Sequence, residues 1–198
     1  MACGLVAQRQ PLEAARAKAS PPLAGAAEVI SAVECLPDLL GDHAVATVGR
    51  IVAEPNAVNV ISARAEFTID LRAPDDHSLE LGDERIRALV AAAAARRGLR
   101  VELRQTESLP AVRLDAAVAD RVRGAASRLG MAPLPEAVSG ALHDAAILAA
   151  LVPTVMLFVA SRDGISHNPA EFSRIDDVAA ATRLLAEVVA SLPESTTG

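Results

Sequence analysis

The sequence predicts two unlike parts, an α+β part followed by an α/β part. Two patterns carry that reading. Residues 24–107 read as helix, strand, strand, helix, strand, with period-2 alternation in the strands. Residues 108–198 read as helix, strand, loop, helix, and their strand is apolar throughout. Two helices over one face of an antiparallel sheet make a ferredoxin-like sandwich. A strand apolar on both faces belongs inside an α/β layer.

The elements follow in order. Residues 1–23 form a poorly specified leader: Pro11, Pro21 and Pro22 interrupt it and no period of 2 or 3.6 survives. At most a short helix from Leu12 to Lys18 is expected there. A ferredoxin-like layer wants a fourth strand before the first helix, and the leader does not obviously supply it. Val29, Ile30, Val33 and Leu36 then recur at helical spacing, and Pro37 ends the run. Val45, Thr47, Val48, Ile51 and Val52 give the β-branched density of a strand. After the Pro55-Asn56 turn, Ile61, Ala63, Ala65, Phe67, Ile69 and Leu71 share one parity. Arg64, Glu66, Thr68, Asp70 and Arg72 share the other, so this strand has one buried and one polar face. A helix over 76–97 buries Ile86, Leu89, Val90 and Ala93 and stops at Gly98. Val101 and Leu103 are the inward pair of the next strand.

In the second part, Asp115 caps a helix through Val118, Val122, Ala125 and Leu129, ended by Gly130. A helix follows from about His143 to Leu151. PTVMLFVA (153–160) has strand length and is read as covered on both faces. The polar loop SRDGISHNPAE precedes a last amphipathic helix over 175–192 through Val178, Leu184, Leu185 and Val188.

Composition excludes several function classes. With 52% hydrophobic residues among 198, the chain is not disordered. A net charge of -6 argues against a partner bound through its phosphates, so no nucleic acid is expected. Cys3 and Cys35 make neither a disulfide framework nor a CxxC, and two reduced thiols fit a cytoplasmic protein. No secretory signal or membrane-spanning run is visible, so no membrane partner is expected.

Three segments carry polar groups that chemistry needs. In open α/β sheets, ligands bind beyond the C-terminal ends of strands. There the loop places Ser161, Arg162, Asp163, Ser166, His167, Asn168 and Glu171, with Gly164 and Pro169 shaping it. His167 is either structural or a metal or catalytic group. His143-Asp144 is either a helix-capping pair or a histidine oriented by an acid, the capping pair being the simpler reading. In PNAVNVISARAEFTIDLR, Arg72 shares a face with Asp70: it is either a solvated arginine or a carboxylate clamp, with Asn59 the other polar candidate. No nucleophile elbow, phosphate loop or GxGxxG is present.

Taken in order, ATVGRI, EPNAVNVI, FTIDLR, SGALHDA and MLFVASRDGISHNPAE resemble the amidases of hydantoinase/carbamoylase type. These include N-carbamoyl-L-amino-acid hydrolases, allantoate amidohydrolases and β-ureidopropionases, two-metal hydrolases related to aminoacylases and carboxypeptidases. The resemblance covers about residues 24–192. It implies that 24–107 is a lid that also dimerises, and that 108–198 is the C-terminal part of a catalytic α/β domain. It implies His167 as a metal ligand, and Asn59 and Arg72 as groups that bind the substrate's carboxylate end. The implied cofactor is a divalent metal, zinc or manganese, and the implied reaction is metal-assisted hydrolysis of an N-carbamoyl C–N bond.

The departures set further expectations. The family's other metal ligands and its general base have no counterpart here, so no catalytic residue is assigned. KASPPLAG stands where the family has a lid histidine, Ser62-Ala63 replaces Pro-Gly, and Leu142 replaces a glycine. The chain is therefore expected to be truncated relative to the family, inactive alone and unable to hold the metal stably by itself. Its expected partners are a second copy through the lid and a separate chain with the missing half. The alternatives are a non-catalytic dimerisation remnant and a carboxylate-binding module built on Asn59 and Arg72.

Overall fold

The computed structural model describes the backbone of residues 2–9 and residues 21–131 and 133–192. The proposed helix from Leu12 to Lys18 lies outside the described residues. The chain divides into two compact units, Met1–Ala111 and Val112–Gly198.

The first unit runs β1 (Ala2–Arg9), α1 (Pro22–Val33), α2 (Pro37–Leu40), β2 (Val45–Glu54), β3 (Arg64–Arg72), α3 (Asp76–Arg97) and β4 (Leu99–Glu107). Its antiparallel sheet has the order β2-β3-β1-β4, the ferredoxin-like arrangement. The leader thus does supply the fourth strand. β1 lies inside the sheet, with Leu5 opposite both Phe67 and Leu103. ACGLVAQR carries no alternating polar face, so period alone did not reveal it. Pairing on both edges holds it in the extended form.

β3 alternates along its length: Ala65, Phe67, Ile69 and Leu71 are buried, and their neighbours are more exposed. The strand starts at Arg64, so Ile61 falls in the preceding loop and is exposed. Val29, Val33 and Leu36, with Leu79, Ile86, Val90 and Ala93 of α3, pack against this face in one core. Burying Phe67 fully contributes about 1.5–3 kcal/mol over leaving it in water. Local signals set the ends of α3. Asp75 Oδ1 accepts the Ser78 N–H at 2.8 Å, and Gly98 closes the helix at φ 61°.

Ser62 has a role that the sequence reading did not assign. Pro21 gives α1 no side-chain cap, and the Ser62 hydroxyl accepts the Leu23 N–H at 3.1 Å instead. A helix donor that would otherwise lack a partner is satisfied from 39 residues away.

The second unit holds α4 (Ala116–Arg128), α5 (Asp144–Ala149) and α6 (Ile175–Ala190). Asp115 Oδ1 accepts the Val118 N–H at 2.8 Å, the predicted cap. Val122, Ala125 and Ala126 of α4 pack with Leu184 and Val188 of α6, and Val155 and Leu157 lie against them. Two expectations fail here. Residues 153–160 form no strand among the described residues. Nor are they covered on both faces, since Phe158 is 56% exposed and Val159 37%. A strand is defined by its ladder, and no described segment pairs with this one. Val178 and Leu185 of α6, read as part of its apolar side, are exposed.

Candidate functional site

The 153–160 run leads into a loop that its own hydrogen bonds shape. The Arg162 N–H bonds the Phe172 carbonyl at 2.8 Å and closes the loop's base. The Arg162 guanidinium lies 5.2 Å from the Phe172 ring centroid, a cation–π contact. Ser161 Oγ donates to the Ile165 carbonyl. Asn168 Oδ1 accepts the Ala170 N–H, and the Asn168 carbonyl accepts the Glu171 N–H, each at 2.9 Å.

His167 sits at the tip with φ 53°, a left-handed conformation unusual for a side-chain-bearing residue. Its N–H donates to Glu171 Oε2 at 2.7 Å. A charge-assisted bond of this kind offsets the cost of that backbone. Asp163 and Gly164, at φ 58° and 69°, bend the other side of the loop. His167 is exposed, and among the described residues nothing hydrogen-bonds its imidazole. The side chain is therefore presented outward on a constrained backbone. Glu171, one of the loop's polar groups noted in the sequence, is thus the acceptor that braces His167.

The donor set does not fit a two-metal centre. Among the described residues no three of His, Cys, Asp and Glu come together as candidate ligands. A paired-metal site needs several ligands per ion, which His167 cannot supply alone.

His143 occupies the N-cap of α5, but its side chain makes no cap bond, so the capping reading is corrected. Its Nε2 lies 2.6 Å from Ser139 Oγ, and its ring meets Phe158 edge-on at 6.0 Å. Asp144, in the first turn of α5, favours the helix N-terminus by its charge. Leu142 is 63% exposed.

In the first unit, Arg72 ends β3 on the sheet's polar side. Its Nε and Nη2 donate to Asp70 Oδ2 at 3.0 and 2.7 Å. That hydrogen bond, with the carboxylate's charge, raises the guanidinium pKa further and outweighs desolvation. Asn59 lies exposed in the turn between β2 and β3. The register sets Arg72 opposite Val45 and Arg64 opposite Glu54. The two candidates thus belong to opposite ends of one hairpin, whose strands run about 26 Å at 3.3 Å per residue. The structure does not bring them together.

Comparison with known proteins supplies the ancestry. The model of peptidase family M20/M25/M40 matches residues 13–191. An N-carbamoyl-L-amino-acid amidohydrolase of Pseudomonas sp. (strain NS671) is 36% identical over 85% of this chain and 41% of its own length. The allantoate amidohydrolase of Bacillus subtilis (strain 168) is 33% identical over 86% of this chain and 41% of its own length. The crystal structure of a hydantoinase/carbamoylase family amidase from Burkholderia multivorans superposes with a TM-score of 0.83 at 36% identity. It covers 94% of this chain and 46% of that one. The chain therefore spans about two fifths of the curated relatives it matches. From the length of the family match and the fold it shares with these amidases, the chain belongs to peptidase family M20/M25/M40, as a relative of its hydantoinase/carbamoylase amidases.

Proposed function

We propose that this chain is the C-terminal part of a metal-dependent amidohydrolase that cleaves the C–N bond of N-carbamoyl amino acids or related ureido acids. The observation that carries the reading is the 161–172 loop, which presents His167 on a braced backbone in a chain 36% identical to a carbamoylase. The first unit acts as the lid and the second as part of the catalytic domain, in the cytoplasm. Among the described residues, no helix is long and apolar enough to cross a membrane.

In this reading His167 is one ligand of the divalent ion, zinc or manganese, that the family implies. With the missing ligands supplied from elsewhere, such an ion would provide Lewis acidity at this site, and His167 would be one of the residues that hold it. Arg72 meets the substrate's carboxylate with a planar guanidinium, for which Asp70 now holds the place. Asn59 lies at the far end of the hairpin from Arg72. A module in which both residues grip one small carboxylate gains no support from their positions.

Because the described residues hold no ligand cluster, turnover needs ligands from elsewhere. The test is metal stoichiometry. The purified chain is incubated with zinc or manganese, desalted, and its metal counted by elemental mass spectrometry, with ammonia release from N-carbamoyl amino acids measured alongside. Near-zero metal and no ammonia are expected. About two retained ions per chain would overturn the incomplete-site reading.

Dimerisation through the lid is the second part of the proposal. β2 is an edge strand with Val45, Ile51 and Val52 exposed, and an open edge of this kind favours pairing with another strand.

A further inference from the structure

Ser139 and His143 form a hydroxyl–imidazole pair that the amidohydrolase reading does not use. A serine hydroxyl has one proton to donate. Two acceptors compete for it here, His143 Nε2 at 2.6 Å and the Ala141 carbonyl at 3.3 Å, and the nearer one takes it. Nε2 is then the unprotonated ring nitrogen, a base already aimed at the serine oxygen. The Ala141 N–H donates to the same oxygen at 3.2 Å, where it stabilises negative charge as the proton leaves. Position is set at both residues. Ala141 holds Ser139 through its N–H and its carbonyl. The His143 ring meets Phe158 edge-on, at 6.0 Å and 68°. Both members are half-buried, and the intervening Gly140, Ala141 and Leu142 are exposed, so the pair is open to solvent.

We propose that Ser139 is an acyl acceptor with His143 as its general base, and that the pair takes the acyl group of aryl esters. Ser139 Oγ bonds to the ester carbonyl carbon, and the hydroxyl proton passes to His143 Nε2. The bond from that carbon to the aryl oxygen breaks, and the aryl oxide leaves with the electron pair. The imidazolium then returns its proton to the aryl oxide or to water. Among the described residues no carboxylate bonds the His143 ring. A base without that support serves leaving groups that need no protonation, which selects aryl esters over amides. The serine ester that remains has a poorer leaving group than the aryl ester, so one acyl group accumulates per chain. Neither residue is a metal ligand in the amidohydrolase reading, and the step uses no ion.

Acetylation by p-nitrophenyl acetate tests this on the whole chain after treatment with a chelator. Nitrophenolate is followed by absorbance, and the acetyl group is located by peptide mass spectrometry. A burst of about one equivalent is expected, with the label on Ser139. Labelling at that residue slows by about 100-fold in His143→Ala. His143→Gln keeps a long polar side chain without the base and is expected to slow it equally, which guards against a loosened loop. Lys18, Cys3 and Cys35 are the competing nucleophiles, and peptide mapping separates them from Ser139. Ser139→Ala removes the burst and leaves only that background. Acetyl on those residues with Ser139 unlabelled would overturn the proposal. Equal rates at Ser139 with and without His143 would do the same. Labelling of Ser139 that appears only with added zinc would also sink it, and would return the chemistry to the metal reading.

Discussion

The bond from the His167 N–H to Glu171 Oε2 stabilises a left-handed residue at an exposed loop tip. Glu171→Ala leaves that N–H to water and lets the loop relax, whereas Glu171→Gln keeps an acceptor. Faster exchange at the His167 amide is therefore expected in the alanine variant, about 10-fold, with little change in the glutamine variant. Equal exchange in all three proteins would mean the loop is held by its other bonds alone. A second residue-scale prediction concerns Glu66, whose carboxyl is held below its ordinary 4.5, first by the hydrogen bond from Arg50. Desolvation opposes the shift, and the charges of Arg50 and Arg64 add to it. A lowered carboxyl favours the folded state above its unfolded value of 4.5 and loses that contribution as pH falls through the lowered value. Glu66→Gln should thus lower the urea midpoint near about pH 7, with the gap closing toward about pH 2. A gap independent of pH would refute the charge account.

Packing between α3 and β3 decides what the elements tolerate. A Cβ at Gly82 would lie 2.5 Å from Leu71 Cδ2 and 3.0 Å from Leu40 Cδ1, both on buried leucines. Helix propensity alone would make Gly82→Ala stabilising. Overpacking reverses the sign, and a loss of about 1–3 kcal/mol is expected in chemical denaturation. Ser62→Ala should cost about 1–3 kcal/mol by leaving the part-buried Leu23 N–H without its acceptor. Both effects were hidden from sequence for one reason: helix period places Gly82 on α3, but not the leucines across from it. The alternation of β3, the Asp75 and Asp115 caps and the Gly98 stop were legible, because each depends on residues within one or two turns.

At the scale of the molecule, the two units differ in how much core they own. The first closes a helix layer over a four-stranded sheet, with Phe67, Ile69, Leu71 and Ile86 almost fully buried. The second packs one helix pair against a single-sided run. Two thermal transitions are therefore expected, the second unit melting first. Leu184→Ala should lower only the earlier one, and Phe67→Ala only the later, by about 3–5 kcal/mol. A single transition shifted by both variants would show that the units fold together.

Sequence by itself determined the helix–strand order of the first unit after its first strand, the family, and the loop that carries His167, because period, caps and motif spacing are local. Only the tertiary structure decided that Ala2–Arg9 is an inner strand, that Arg72 and Asn59 sit at opposite ends of a hairpin, and that 153–160 has no ladder among the described residues. Each of those depends on which distant segment lies alongside, and the free energy of pairing and burial belongs to both partners at once. An apolar run states that it needs cover; the fold determines whether cover is there.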